Sequence, residues 1–264
     1  MKKFILHTLL LLGVMTSVFA QEKYDLRLNL EKGQTFTYQM TLNYPMTISM
    51  MGQQMEIKQA QTLTYTYKVL DVKDGNYLME ITLDRMQVFT SSMGQEVNLD
   101  TDSDAKDEAT SQLRKMVNQK LTQWVDAKFK PLGELEGEMA DDFVKEGVLS
   151  MSIGPAFFPA EPVAQGESIT VNKPLFSGSS TKYEGVVTLV AVSDTDYTLR
   201  ANGKTTKTVE GLVIEGNGID NIVLDRKTGM IKNTFGTMAL KGNSNVQGTQ
   251  TEISANTITS VRLL

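Results

Sequence analysis

The chain of 264 residues contains no cysteine and a single histidine, His7, and its formal net charge is −5 at pH 7. Disulfide bonds and thiol chemistry are therefore excluded, and imidazole catalysis or imidazole metal binding could involve only His7. The mild negative charge, with lysine and arginine scattered along the chain, argues against a nucleic-acid partner.

The first 20 residues are typical of a secretory signal peptide. Two lysines precede an apolar run, which ends in the peptidase-compatible sequence Ser17-Val18-Phe19-Ala20. Cleavage between Ala20 and Gln21 would remove His7 and leave 244 residues with a net charge of −7. No later run reaches the roughly 20 apolar residues of a spanning helix. We therefore expect a periplasmic or secreted protein without an integral membrane span.

Alternation of apolar and polar residues predicts half-buried antiparallel strands in most of the chain. Turns at Asp74-Gly75-Asn76 and at 225–229 each join two of them. Further strands are expected over residues 209–214, 218–224, 230–240 and 257–263. The alternating apolar positions elsewhere are Tyr24, Leu26, Leu28 and Leu30; Phe36, Tyr38, Met40 and Leu42; Leu63, Tyr65, Tyr67 and Val69; Tyr77, Met79, Ile81 and Leu83; Val187, Leu189 and Ala191; Tyr197, Leu199 and Ala201.

The middle of the chain has helical spacing. From Asp104 to Val125 apolar residues recur at steps of three and four, which predicts an amphipathic helix of about six turns. Ser103 or Asp104 is expected to cap this helix. A second helix is expected over residues 137–149, so that a helical insert occupies about 104–150.

The strand-rich segments before and after this insert resemble each other. Gly33-Gln34-Thr35-Phe36 matches Gly166-Glu167-Ser168-Ile169, and residues 68–78 match residues 188–198. Such a match indicates two related halves, although antiparallel hairpins can also share this pattern without being related.

We therefore predict an α+β fold, mainly antiparallel β, for a single domain of residues 21–264. Its two related β halves, about 21–100 and 163–264, would form curved sheets or one continuous half-barrel. The sheets are expected to pack on the central helices.

Four short motifs stand out along the chain: residues 28–36, 71–77, 100–104 and 158–168. Together they resemble the DUF6263 family of exported Bacteroidetes proteins. The resemblance implies export and a β-rich fold, and it supplies neither a catalytic residue nor a ligand. Family members often have an aromatic residue where this chain has Ile169. The predicted architecture is also similar in shape to lipoprotein carriers such as LolA and LppX, in which a curved sheet surrounds helices over an apolar cavity.

Four methionines, Met46, Met50, Met51 and Met55, cluster around Gly52. Thioethers bind Cu(I), but the histidine that usually assists them is missing, and we predict no metal site. A hairpin that turns near Gly52 is expected to divide these side chains between its two faces. We interpret the four methionines as an adaptable apolar surface that contacts a ligand or a partner.

The remaining polar clusters are explained by ordinary structure. Alternate aspartates in 100–104 resemble calcium ligands, but the glycine and glutamate of an EF-hand loop are absent, which favours a strand end and a helix cap. The acidic run in 134–146 lacks a fixed glycosidase pair and is interpreted as a solvated helix start. Ser179 and Lys182 have the spacing of penicillin-recognising enzymes without their partner motifs. Trp124 is expected in the core.

Together these features predict an exported, non-enzymatic binding protein of the cell envelope. The ligand would be an apolar small molecule or a partner protein, held between the concave sheet and the helices. A structural or assembly component that acts through the Met-rich hairpin is the alternative, and a carboxylate-based hydrolase is the remaining enzyme class. We predict no catalytic residue and no cofactor.

Overall fold

A computed structural model describes residues 21–50, 52–141, 158–174, 182–209, 212–246 and 249–264. Within these ranges no helix is both long and apolar enough to cross a membrane. Four features of the sequence lie outside the described residues: the predicted signal peptide, residues 142–149 of the second predicted helix, Met51, and Ser179.

Strands dominate the described residues. The helix α1 comprises Glu108–Arg114. The strands are β1 (Lys23–Tyr24), β2 (Thr35–Asn43), β3 (Met46–Met50), β4 (Gln53–Lys73), β5 (Asn76–Ser92), β6 (Gln95–Asp100), β7 (Lys120–Val125), β8 (Val163–Ala164), β9 (Ser168–Pro174), β10 (Lys182–Val192), β11 (Asp196–Val209), β12 (Leu212–Asp225), β13 (Ile231–Val246) and β14 (Thr249–Leu263).

Among the described residues, twelve strands form one antiparallel sheet in the order β6-β5-β4-β2-β14-β13-β12-β11-β10-β9. Strand β3 lies between β14 and β4, and β7 pairs with β5. The pairing of β14 with β2 joins the N-terminal and C-terminal strands into a single curved sheet. The prediction of a mainly antiparallel β fold is confirmed, in its form of one continuous sheet.

One end of this curved sheet is closed by residues 26–30, which cross it as an extended segment. The backbone N–H of Leu28 donates to the Ala127 carbonyl (2.8 Å), and that of Asn29 donates to the Thr228 carbonyl (2.9 Å). Leu28 is only 1 % exposed, and its alternate neighbours are also buried. The alternation in this segment therefore predicted burial correctly, although β1 itself ends at Tyr24.

An aromatic cluster fills the core next to this closed end. The rings of Tyr38 and Tyr65 are stacked with centroids 5.5 Å apart, and Tyr67 contacts both edge-on. Phe129 meets Tyr67 at 6.2 Å from the chain that follows β7. The Tyr38 hydroxyl donates to the Ile231 carbonyl (2.9 Å), so this buried phenol has a partner.

The two segments that match in sequence make the same backbone contacts. The Gly33 N–H donates to the Val69 carbonyl (2.8 Å), and the Gly166 N–H donates to the Leu189 carbonyl (2.7 Å). Directly after Val69 and Leu189, each strand also has a register shift against its next neighbour. The division into two related halves stays a prediction, which these matched contacts support.

The predicted cap of the first helix is wrong. Helix α1 begins after Asp107, whose carboxylate accepts a hydrogen bond from the Thr110 backbone N–H (2.8 Å). Asp107 therefore satisfies a free N–H of the first turn, the role expected of Ser103 or Asp104.

The predicted helix of 104–125 is also wrong after α1. Asn118 has a φ of +62°, and the chain then forms β7 beside β5. Leu121 and Val125 are buried on one side of that strand. A spacing of four residues suits both a helix face and a strand face, which explains why the sequence pattern was ambiguous.

Two later strands have bounds that differ from the prediction. Strand β11 ends at Val209 and β12 begins at Leu212, so the segment expected as one strand over 209–214 belongs to the ends of two strands. Strand β14 begins eight residues before the expected start at Thr257. The added segment is rich in polar residues, and its strand conformation depends on pairing with β3 and β13.

Candidate functional site

Strand pairing aligns the inner-face residues of neighbouring strands in rows across the sheet. The row that contains Ala201, Asp220 and Gly236 divides the inner face into a lower and an upper part. Below it, toward the closed end, Ile222, Leu199 and Thr234 are buried. Above it, toward the hairpin that joins β3 to β4, the inner-face residues are mostly half-buried. We call this open, upper part of the inner face the upper trough.

One wall of the upper trough is apolar. Met46 and Ile48 on β3 pair with Ile57 and Met55 on β4, and all four are half-buried. Strands β14 and β13 extend this surface on the other side of β3. The residues of this apolar wall are Met46, Ile48, Met55, Ile57, Ile253, Ala255, Met238 and Leu240.

The three described methionines of this hairpin lie on one face, while Met51 lies outside the described residues, so the division of all four between two faces stays a prediction. Met50 pairs with Gln53, and Ile48 pairs with Met55. In this register Met46, Met50 and Met55 share the inner face, since directly opposed residues point to the same side. Met50 is 50 % exposed at the open end.

A glycine-rich part of the inner face, the glycine wall, adjoins the apolar wall. Its glycines are Gly185, Gly203, Gly216 and Gly218 on three neighbouring strands, where Tyr183 and Thr205 share the same face. A β-carbon on Gly203 would lie 2.6 Å from the Tyr183 ring, and one on Gly216 would lie 2.6 Å from a Leu240 methyl group. The glycines therefore let the Tyr183 and Leu240 side chains lie against the backbone.

Asp220 lies at the floor of the upper trough. Its neighbours across the sheet are Ala201 and Gly236, and a β-carbon on Gly236 would overlap the carboxylate. Burial raises the pKa of Asp220 to about 6. Burial and the nearby Asp220 charge raise the pKa of Tyr183 to about 12. Within the described residues no hydrogen bond or ion pair reaches the Asp220 carboxylate.

The sequence patterns did not single out Asp220 or the glycine wall. A signal was present, because Asp220 alternates in phase with Ile222 and Leu224 on the predicted strand 218–224. A carboxylate in phase with buried apolar residues is expected to face the interior.

The aspartates considered as calcium ligands bind a guanidinium instead. Arg85 makes two hydrogen bonds to Asp100, at 3.1 and 2.6 Å, and an ion pair with Asp102 at 3.2 Å. The bond from Arg85 holds the pKa of Asp100 down at about 2. Strand β6 ends at Asp100, which confirms the strand-end part of the interpretation, whereas the helix cap is Asp107. Among the described residues, no three acidic or histidine side chains are arranged to hold a metal ion.

The outer surface carries two further features. Trp124 is half-buried on the face of β7 opposite Leu121, where it lines a surface depression rather than the core, contrary to the prediction. On the convex face, Ile219, Phe235 and Ile258 are 44–52 % exposed on neighbouring strands. The described carboxylates of the acidic run are exposed beyond β7.

No family model matches this chain, and no curated protein matches it significantly. Membership of the DUF6263 family therefore stays a prediction. A solved structure of lipovitellin, described as "Lipid-protein interactions in lipovitellin", aligns with a TM-score of 0.58 and 7 % identity. The alignment covers 89 % of this chain and 25 % of lipovitellin, so the chain spans about a quarter of that protein. At this identity the likeness shows a shared fold alone.

Two envelope β proteins align with lower scores. Pseudomonas aeruginosa OpdQ has a TM-score of 0.26 at 6 % identity, with 88 % of this chain and 99 % of OpdQ covered. The translocator domain of the autotransporter NalP from Neisseria meningitidis has a TM-score of 0.22 at 7 % identity, with 88 % and 90 % covered. These scores are too low to carry an argument about fold or function.

Proposed function

We propose that the protein is a non-enzymatic binding protein of the cell envelope that holds an apolar ligand, such as a lipid chain, in the upper trough. One observation carries this proposal: most residues of the apolar wall are only half-buried above Asp220, whereas the same inner face is buried below it. Apolar surface that remains open gains free energy when a ligand covers it.

The geometry of the walls supports the same proposal. Methionine and isoleucine side chains form one wall, and methionine adapts to ligands of different shape. The fold is similar to that of lipovitellin, a protein whose structure was described for its lipid–protein interactions. The predicted signal peptide supports an envelope location.

Uptake of a fluorescent apolar probe by delipidated protein tests the proposal. We expect wild-type protein to bind the probe, and Met55→Asp to bind it about tenfold more weakly, because a charge in an apolar site is costly to desolvate. Gln54→Asp is the matched control, since Gln54 is the adjacent, exposed residue on the opposite face of β4. Absence of uptake by the wild type, or equal weakening by both variants, would contradict the proposal.

A second candidate function is that of an assembly component, because apolar residues occupy the tips of the open end. Met93 is 85 % exposed and precedes Gly94 in the turn between β5 and β6, at the open end. The turn between β4 and β5 at the closed end has the polar residue Asp74 before Gly75. Exposed methionines suit a protein partner. Replacing Met50 and Met93 with serine should then abolish co-purification of an envelope protein, while circular dichroism shows that the variant folds. Unchanged co-purification would contradict this candidate.

A further inference from the structure

The directly adjacent inner-face neighbours of the Asp220 carboxylate are apolar or small residues. Ile222 lies below it on the same strand and Gly218 lies above it, while Ala201 and Gly236 flank it on the neighbouring strands. None of these four side chains can donate a hydrogen bond. A carboxylate in such a place is costly unless a donor group reaches it.

The inner-face positions around Asp220 carry small residues. Ala201 and Gly236 flank it, the carboxylate lies over Gly236, and Gly218 and Gly203 lie in the next row toward the open end. Asp220 itself is half-buried, so it retains some contact with solvent.

The inner face above Asp220 is longer than an extended lipid tail. Eight residues separate Asp220 from Leu212, where β12 begins. At about 3.3 Å per residue this distance is roughly 26 Å. One leaflet contributes about half of a hydrocarbon core of roughly 30 Å, so an extended tail fits along the trough.

We infer that the ligand is an amphiphile whose ammonium or hydroxyl group donates hydrogen bonds to Asp220 while its tail extends along the apolar wall. This inference rests on the proposed function and adds the polarity and orientation of the ligand. The nearby Tyr183 phenol lies over Gly185 and Gly203 and borders the same space.

Three probes with the same decyl chain test the inference: decylamine, 1-decanol and decanoate, each below its micelle concentration at pH 7.5. We expect wild-type protein to bind decylamine about tenfold or more tightly than decanoate, because a donor reaches the charged carboxylate in one case and a like charge meets it in the other. In Asp220→Asn this preference should fall to within about threefold, with 1-decanol binding retained.

Glu215→Gln is the matched control, because Glu215 is exposed on the outer face of β12. It should leave all three affinities unchanged, and circular dichroism should show that both variants fold. Equal binding of all three probes by the wild type, or an unchanged preference in Asp220→Asn, overturns the inference and leaves the proposed function intact. No binding of any probe overturns the proposed function itself.

Discussion

Replacing Asp220 with asparagine is expected to stabilise the fold at neutral pH, although it removes the proposed ligand contact. The reason is that burial raises the pKa of this carboxyl from 3.8 to about 6. Folding therefore favours the protonated form, and ionisation at neutral pH weakens the folded state.

The sign and size of this effect follow from the pKa shift. Below pH 3.8 both the folded and the unfolded chain are protonated at Asp220, so the charge has no cost. As the pH rises through 6 the folded protein loses this advantage, and the full shift corresponds to about 3 kcal/mol. Because Asp220 is partly open to water and the asparagine amide must also be desolvated, we expect a net gain of about 1–2 kcal/mol.

Urea unfolding of wild type and Asp220→Asn at several pH values measures this effect. The difference in unfolding free energy should be largest above pH 7 and should reach its minimum below about pH 3. The difference between the two proteins is the informative quantity, since other carboxylates with lowered pKa values, such as Asp100, stabilise the fold in the opposite pH direction. An Asp220→Asn variant that is less stable than wild type at pH 7.5 would refute the reasoning.

Three further predictions concern stability. Leu28→Ala should cost about 2–5 kcal/mol of unfolding free energy by opening a cavity at the closed end, whereas Arg27→Ala should change it by less than about 0.5 kcal/mol; equal effects would argue against closure by this segment. Arg85→Gln should lower the urea midpoint at pH 7, with a difference that shrinks near pH 2 as Asp100 becomes protonated; a pH-independent difference would speak against the ion pair. Met93→Asn should raise stability by about 0.5–1 kcal/mol, because asparagine adopts a positive φ more readily; a lower thermal midpoint would contradict this.

Alternation was sufficient to predict strands whose inner and outer faces differ strongly. Tyr65 and Tyr67 alternate with polar residues along the sequence of β4, so the two-residue period is unambiguous in this strand. The same signal failed at Leu121 and Val125, whose spacing suits a helix equally well. This segment forms a strand because it pairs with β5 as β7.

The candidate site depends on register, which the sequence alone does not determine. Asp220 faces Gly236 because of the pairing between β12 and β13, and Met46 faces Ala255 because of the pairing between β3 and β14. These contacts join residues far apart in the chain, so no local pattern reveals them. Likewise, the shared face of Met46, Met50 and Met55 follows only from the pairing of β3 with β4.

Photolabelling with a diazirine-bearing decanol, followed by peptide mass spectrometry, tests the central claim most directly. The account predicts labels on the apolar wall, at residues such as Met55 and Leu240, and their loss when unlabelled decanol competes. Labels concentrated on the convex face, at Phe235 or Ile258, would contradict a ligand site in the upper trough, as would the absence of any competed label.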